Sequence, residues 1–164
     1  MRINKQAMQE KQQSLFEDEL KLIYDEIILY YEREVIPNPK GFRKNDARFT
    51  NYIQLLNAEF HCIDNASTIS IPNSYKTSKE TFFIFKPVTK NNHKLSSLAS
   101  LLAHLRNCFS HGHFSKESVS RRTTMLCLED RYTTGKKKGQ LSMIAQLPLD
   151  QLKLLIQIIK LCKK

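Results

Sequence analysis

The chain has no tryptophan, and only four glycines and five prolines among its 164 residues. So few turn-forming residues argue against a loop-rich or all-β design, in which turn signals recur at short intervals. Acidic residues are scarce in one half. Residues 83–164 hold 4 Asp/Glu against 15 Lys/Arg, whereas residues 1–82 hold 12 against 11. Long apolar runs are missing too: Ile27-Ile28-Leu29-Tyr30-Tyr31 falls far short of the roughly 20 residues a membrane span needs. The opening residues, Met1 to Gln6, carry no apolar stretch of the signal-peptide kind. The four cysteines, Cys62, Cys108, Cys127 and Cys162, include no close pair, which disfavours a disulfide framework. These absences lead us to expect one cytoplasmic domain with no membrane association.

What is present begins with a core. An apolar fraction of 41%, with nine Phe and six Tyr, is enough for one. The positive excess of the second half is the signature of a face that meets a polyanion.

Apolar periodicity predicts mostly helix. From about Gln9 to Glu34, Phe16, Leu20, Ile23, Ile27 and Tyr30 form one seam, and Leu15, Leu22, Leu29 and Ile36 a second. Pro37 and Pro39 close this helix. A second helix is expected from Asn45 or Asp46, with Phe49, Ile53, Leu56, Phe60 and Ile63 on its apolar face. Thr81 to Phe85 reads as a short strand or an apolar closing segment. Leu95, Leu98, Leu102, Leu105 and Phe109 define a third helix, capped by Asn91 or Asn92 and ended by Gly112. Arg122 to Leu128 and Gln140 to Leu147 resemble the strands of a hairpin whose turn is basic. Pro148 and Asp150 suit the start of a last helix bearing Leu152, Leu155, Ile156 and Ile159. The expected fold is mainly α: a four-helix bundle with a β-hairpin insert at about residues 121–147.

The end of the third helix carries the chemistry. Arg106, Asn107 and His111 bring a cation, an amide and an imidazole to the last turn of a buried helix. Cleaving RNA without a metal requires removing a proton from a 2′-hydroxyl and stabilising charge at phosphorus. Histidine, with an unperturbed pKa of about 6.5, exchanges protons near neutrality. Arginine presents a planar fork matched to phosphate oxygens. Asn107 and His111, four residues apart, share a helix face. Arg106 stands roughly 140° from His111 around an ideal helix, which suggests that one protomer does not assemble the site alone, although fraying at the helix end would also relieve the spacing. His113 is a candidate accessory group. Arg121, Arg122, Arg131, Lys136, Lys137 and Lys138, on the hairpin, are candidates to follow an RNA backbone.

Three other readings compete. Arg106 and Asn107 could form a solvated last turn, with His111 capping the helix dipole. His104, Cys108, His111 and His113 fall within ten residues, but no Cys-x-x-Cys pair or carboxylate pair completes a familiar metal set. Cys108 near His111 also raises a nucleophilic thiol, although it flanks the apolar seam. No metal and no cofactor are expected.

The string Arg106-Asn107-x-x-x-His111, within Leu105-Arg-Asn-Cys-Phe-Ser-His-Gly-His113, resembles the signature of the HEPN ribonucleases, especially the compact plasmid- and phage-defence-associated members. The resemblance implies a single HEPN-like domain over 1–164 and a metal-independent endoribonuclease acting as a homodimer. In that reading Arg106 and His111 are catalytic and Asn107 orients them. It also implies a toxin or antiviral-defence role, with a cellular RNA as substrate and any antitoxin or regulatory partner on a separate chain. The alternative is a non-catalytic HEPN-like bundle that binds RNA or a protein through its basic half.

Overall fold

The computed structural model describes residues 17–43 and 46–164. Helix α1 begins as Glu17–Ile23 and continues through two π-helical segments, Tyr24–Leu29 and Tyr31–Val35. Its buried stripe is Ile23, Ile27, Tyr31 and Val35, a strict repeat of four. On an α-helix that repeat drifts by about 40° per step. The wider π turn, closed by i→i+5 bonds, takes up the drift and keeps the stripe facing the core. Leu15, Phe16 and the expected start near Gln9 lie outside the described residues.

Helix α2 spans Ala47–Leu55 and is capped by Asp46, whose carboxylate accepts the Arg48 N–H. It is shorter than its periodicity suggests. Asn57 adopts a left-handed φ of 49°, and Phe60 then lies on strand β1, Glu59–Cys62. Strand β2 is Phe82–Phe85. A two-stranded hairpin, β3 Thr89–Lys90 and β4 His93–Lys94, turns through Asn91 and Asn92 at φ 49° and 62°. A two-residue turn of this hand needs positive φ at both positions, which asparagine tolerates. Those asparagines therefore do not cap the next helix. Ser96 does so for α3, Ser97–His111, its hydroxyl accepting the Ala99 N–H.

Three longer strands follow: β5 Phe114–Ser120, β6 Thr123–Arg131 and β7 Leu141–Pro148. A 3₁₀ turn, Leu149–Gln151, leads into helix α4, Leu152–Leu161. Pro148 thus ends a strand rather than opening the helix. The main sheet runs β1-β2-β7-β6-β5, parallel between β1 and β2 and antiparallel elsewhere.

The fold is therefore α/β, and the expected four-helix bundle with a hairpin insert is incorrect. The hairpin is real, but β6 and β7 are interior strands rather than an appendage. The physical reason is burial on both faces. Met125, Leu126, Cys127 and Leu128 are fully buried in succession, as are Met143, Ile144 and Ala145, and continuous apolar runs mark strands covered on two sides. Leu126, Leu128, Met143, Ala145 and Leu147 join the cluster that includes α1, α3 and α4. Ile144 and Phe82 meet Ile69 and Tyr75 on the opposite face. The long connection there is fixed by buried Gln146, which accepts from the Lys76 N–H and donates to the carbonyls of Ser74 and Glu80. Helices cover one face of the sheet and an irregular loop covers the other.

Candidate functional site

Helix α3 lies across the helical face of the sheet. It buries Leu98 to Leu105 without a break, then Cys108 and Phe109. Gly112 ends it at φ 68°, ψ 24°. The N–H groups of Gly112 and His113 both donate to the Cys108 carbonyl. That reversal leaves Arg106 and Asn107 half-buried in the last turns and His111 exposed at the tip.

A chain of hydrogen bonds runs inward from the surface. Arg106 Nη2 donates to Glu32 Oε1 of α1 at 3.2 Å, and Nη1 donates to Asn107 Oδ1 at 3.3 Å. Asn107 Nδ2 donates to Asp130 Oδ2 at 3.0 Å. The same carboxylate oxygen meets His104 Nδ1 at 2.7 Å, and His104 Nε2 meets the Lys86 carbonyl at 2.7 Å. A carbonyl only accepts, so Nε2 carries a hydrogen. The hydrogen between Nδ1 and Oδ2 belongs to one partner or the other, and in both states the His104–Asp130 pair is neutral overall. Both groups are nearly inaccessible, at 3% and 4% exposure, and such a pair persists in a core only when its polar atoms are satisfied. The carboxylate also fixes the Asn107 amide: with Nδ2 on Asp130, Oδ1 is left to receive Arg106.

With both ring nitrogens engaged, His104 has no lone pair for a metal. Among the described residues, no group of three or more His, Cys, Asp or Glu is placed to hold one. Burial pushes the Cys108 thiol far above its usual range, which removes the nucleophilic reading, since the thiolate is the reactive form.

Arg106, Asn107 and His111 border one cleft of about 620 Å³ between α3, the β3–β4 hairpin and the β6–β7 turn. Arg131, Lys137, Lys90, Tyr132 and Asn65 complete much of its wall. The angle between Arg106 and His111 does not keep them apart, because the arginine side chain is long and the helix stops at His111. Within one protomer all three motif residues border this cleft. Among the described residues, Asp130 is the only carboxylate in this wall, and it is already engaged by His104 and Asn107.

The other candidates scatter. The His113 ring lies 5.9 Å from that of His111, but His113 borders a separate depression with Tyr75, Phe114 and Glu129. Lys136 and Lys138 are exposed on the turn. Arg121 and Arg122 occupy the β5–β6 turn, at the far end of β6 from Arg131. Asp130, Glu32, Lys86 and Tyr132 are the residues that sequence reasoning did not single out. The clue for Asp130 was available: it is one of four acids in residues 83–164 and lies two residues beyond the apolar run that ends at Leu128.

Comparison with family models, curated proteins and solved structures gave no match. Among the described residues, no helix is long and apolar enough to cross a membrane.

Proposed function

We propose that this cleft is the active site of a metal-independent endoribonuclease. The observation that carries the reading is the meeting of Arg106, Asn107 and His111 in one cleft whose wall also holds the cations Lys90, Arg131 and Lys137, while its carboxylate, Asp130, is engaged by His104 and Asn107. His111 takes the proton of an RNA 2′-hydroxyl as the 2′-oxygen bonds to phosphorus. The bond to the 5′-oxygen breaks, and that oxygen takes a proton from solvent. Arg106 stabilises the negative charge at phosphorus, and Asn107 holds the guanidinium. The products are a 2′,3′-cyclic phosphate and a 5′-hydroxyl.

The motif's likeness to HEPN ribonucleases supports the same chemistry and extends it to a cytoplasmic toxin or antiviral effector that works as a homodimer on cellular RNA. The four-helix fold of that resemblance does not carry over. The test is cleavage of total RNA in EDTA by wild type and His111→Ala, with analysis of fragment ends. Cutting by wild type alone, with cyclic phosphate ends, supports the reading; equal cutting by both proteins removes His111 from the chemistry. Sedimentation of the wild type tests the dimer separately.

One observation favours a second reading. Arg106 is paired with Glu32 and tied through Asn107 to the buried Asp130, as a purely structural residue would be. A protein that binds RNA or a protein partner without cutting would leave RNA intact while His111→Ala retained its affinity.

A further inference from the structure

Beneath the cleft wall lies a lysine with little to hold it. Lys86, only 3% exposed, donates from Nζ to the Asn65 carbonyl at 3.2 Å. Lys137, from the β6–β7 turn, donates to the same oxygen at 2.6 Å. Two nitrogens on one oxygen can be no farther apart than those two lengths laid end to end. Among the described residues neither lysine forms an ion pair with a carboxylate.

The Tyr132 ring confirms the crowding. Lys86 Nζ is 5.8 Å and Lys137 Nζ 5.7 Å from its centroid. Cations stacked on opposite faces would stand about twice as far apart as their shared oxygen permits. They therefore converge on one side of the ring, Lys86 buried and Lys137 lining the cleft. Like charges so close repel, and a buried charge is retained at a cost unless it is paired. Burial, followed by Lys137, holds the Lys86 ammonium below the ordinary lysine range. Each ammonium carries three donors, and a single carbonyl oxygen serves both.

We infer that Lys86 and Lys137, held on the Asn65 carbonyl beside Tyr132, form a second phosphate subsite of the cleft, which takes a backbone phosphate of RNA next to the one at Arg106 and His111. An anion there pairs two charges that the fold leaves unpaired. Tyr132 borders the same cleft, and an aromatic ring beside a cationic track suits the unpaired base of a single strand. The inference rests on the RNA-cleaving reading for the identity of its ligand, but it is tested by binding rather than by cutting.

The experiment titrates a short single-stranded RNA of mixed sequence onto His111→Ala protein over a range of salt concentrations. Lys137→Met and Lys86→Met are then added singly to that background. Each lysine that neutralises a phosphate contributes about 0.7 to the slope of log affinity against log salt for a single strand. Each variant is expected to bind more weakly and to lose about that much slope, and Lys137→Arg is expected to keep it.

Thermal melting separates this role from a structural one. Removing a crowded, buried charge raises the melting temperature of Lys86→Met, whereas losing a structural tie lowers it. A higher melting temperature with weaker binding supports the subsite. Unchanged slope and affinity in both methionine variants overturn it while leaving the catalytic reading standing. Loss of slope in a protein whose wild type does not cut RNA keeps the subsite and overturns catalysis. No RNA binding at any salt concentration overturns both.

Discussion

The two ends of strand β6 are alike in composition and unlike in setting. Arg121 and Arg122 precede it, and Arg131 ends it, with Lys136, Lys137 and Lys138 just beyond. At about 3.3 Å per residue its nine residues separate these groups by roughly 25–30 Å. Around Arg122 the neighbouring wall includes two carboxylates, Glu19 and Asp150. At the other end Asp130 is taken up by His104 and Asn107, and Glu129 pairs with Arg131 at 3.5 Å. Among the described residues, Lys90 and Lys137, which also line the cleft, form no ion pair with a carboxylate. A count of cations does not define a site. What distinguishes the two ends is where the acids are spent.

The largest effect that sharpens this contrast is expected at His111. His111→Ala should lower the cleavage rate by about 10²- to 10⁴-fold, the usual worth of a positioned general base, while single-stranded RNA still binds. Rates measured against a fixed RNA oligonucleotide check it. Next comes Asp130→Ala, which removes the acceptor shared by two buried donors. Breaking a buried pair of this kind costs about 3–5 kcal/mol, readable as a shift in urea midpoint. If Asp130→Ala were as stable as wild type, the inward chain from Arg106 to Lys86 would not organise the cleft.

A smaller effect follows from pH. Lys86 is held below its ordinary value of 10.5 by burial and by Lys137, so the unfolded chain binds that proton more tightly than the folded one. Stability therefore rises with pH through the window below about 10.5, as the folded-state amine loses its charge first. Lys86→Met should lack that contribution, so its advantage in melting temperature over wild type should shrink as pH rises toward about 10.5. A constant difference between the two proteins would contradict the assignment. The smallest effect belongs to the far end. Arg121→Ala with Arg122→Ala should change stability by no more than about 0.5 kcal/mol and leave RNA affinity near the wild-type value.

How much of this was legible in the sequence differs by element. The periodicity of α3, its stop at Gly112 and the β6–β7 hairpin were all readable, because each is a local pattern. The sheet was not. Phe60 continues the helical spacing of Phe49, Ile53 and Leu56, and only the left-handed Asn57 breaks the helix before it. The whole of β5, with exposed and half-buried residues mixed along it, gives no alternating signal. The interior position of β6 and β7 depends on Gln146 anchoring a distant loop over their second face, a contact across some 70 residues that no local window contains. At the site, Arg106, Asn107 and His111 were visible as a string. Their partners Glu32, Lys86 and Asp130 come from three other elements and meet only through the fold. Cationic residues on the hairpin were visible as charges, but composition could not tell its two ends apart.

The comparison is tested most directly by cutting RNA in EDTA with three proteins side by side: wild type, His111→Ala, and the double variant Arg121→Ala with Arg122→Ala. The account predicts equal cutting by wild type and the double arginine variant, cyclic phosphate ends on the fragments, and no cutting by His111→Ala. Wild-type cutting by His111→Ala, or its loss in the double arginine variant alone, would place the chemistry at the wrong end of β6 and contradict the account.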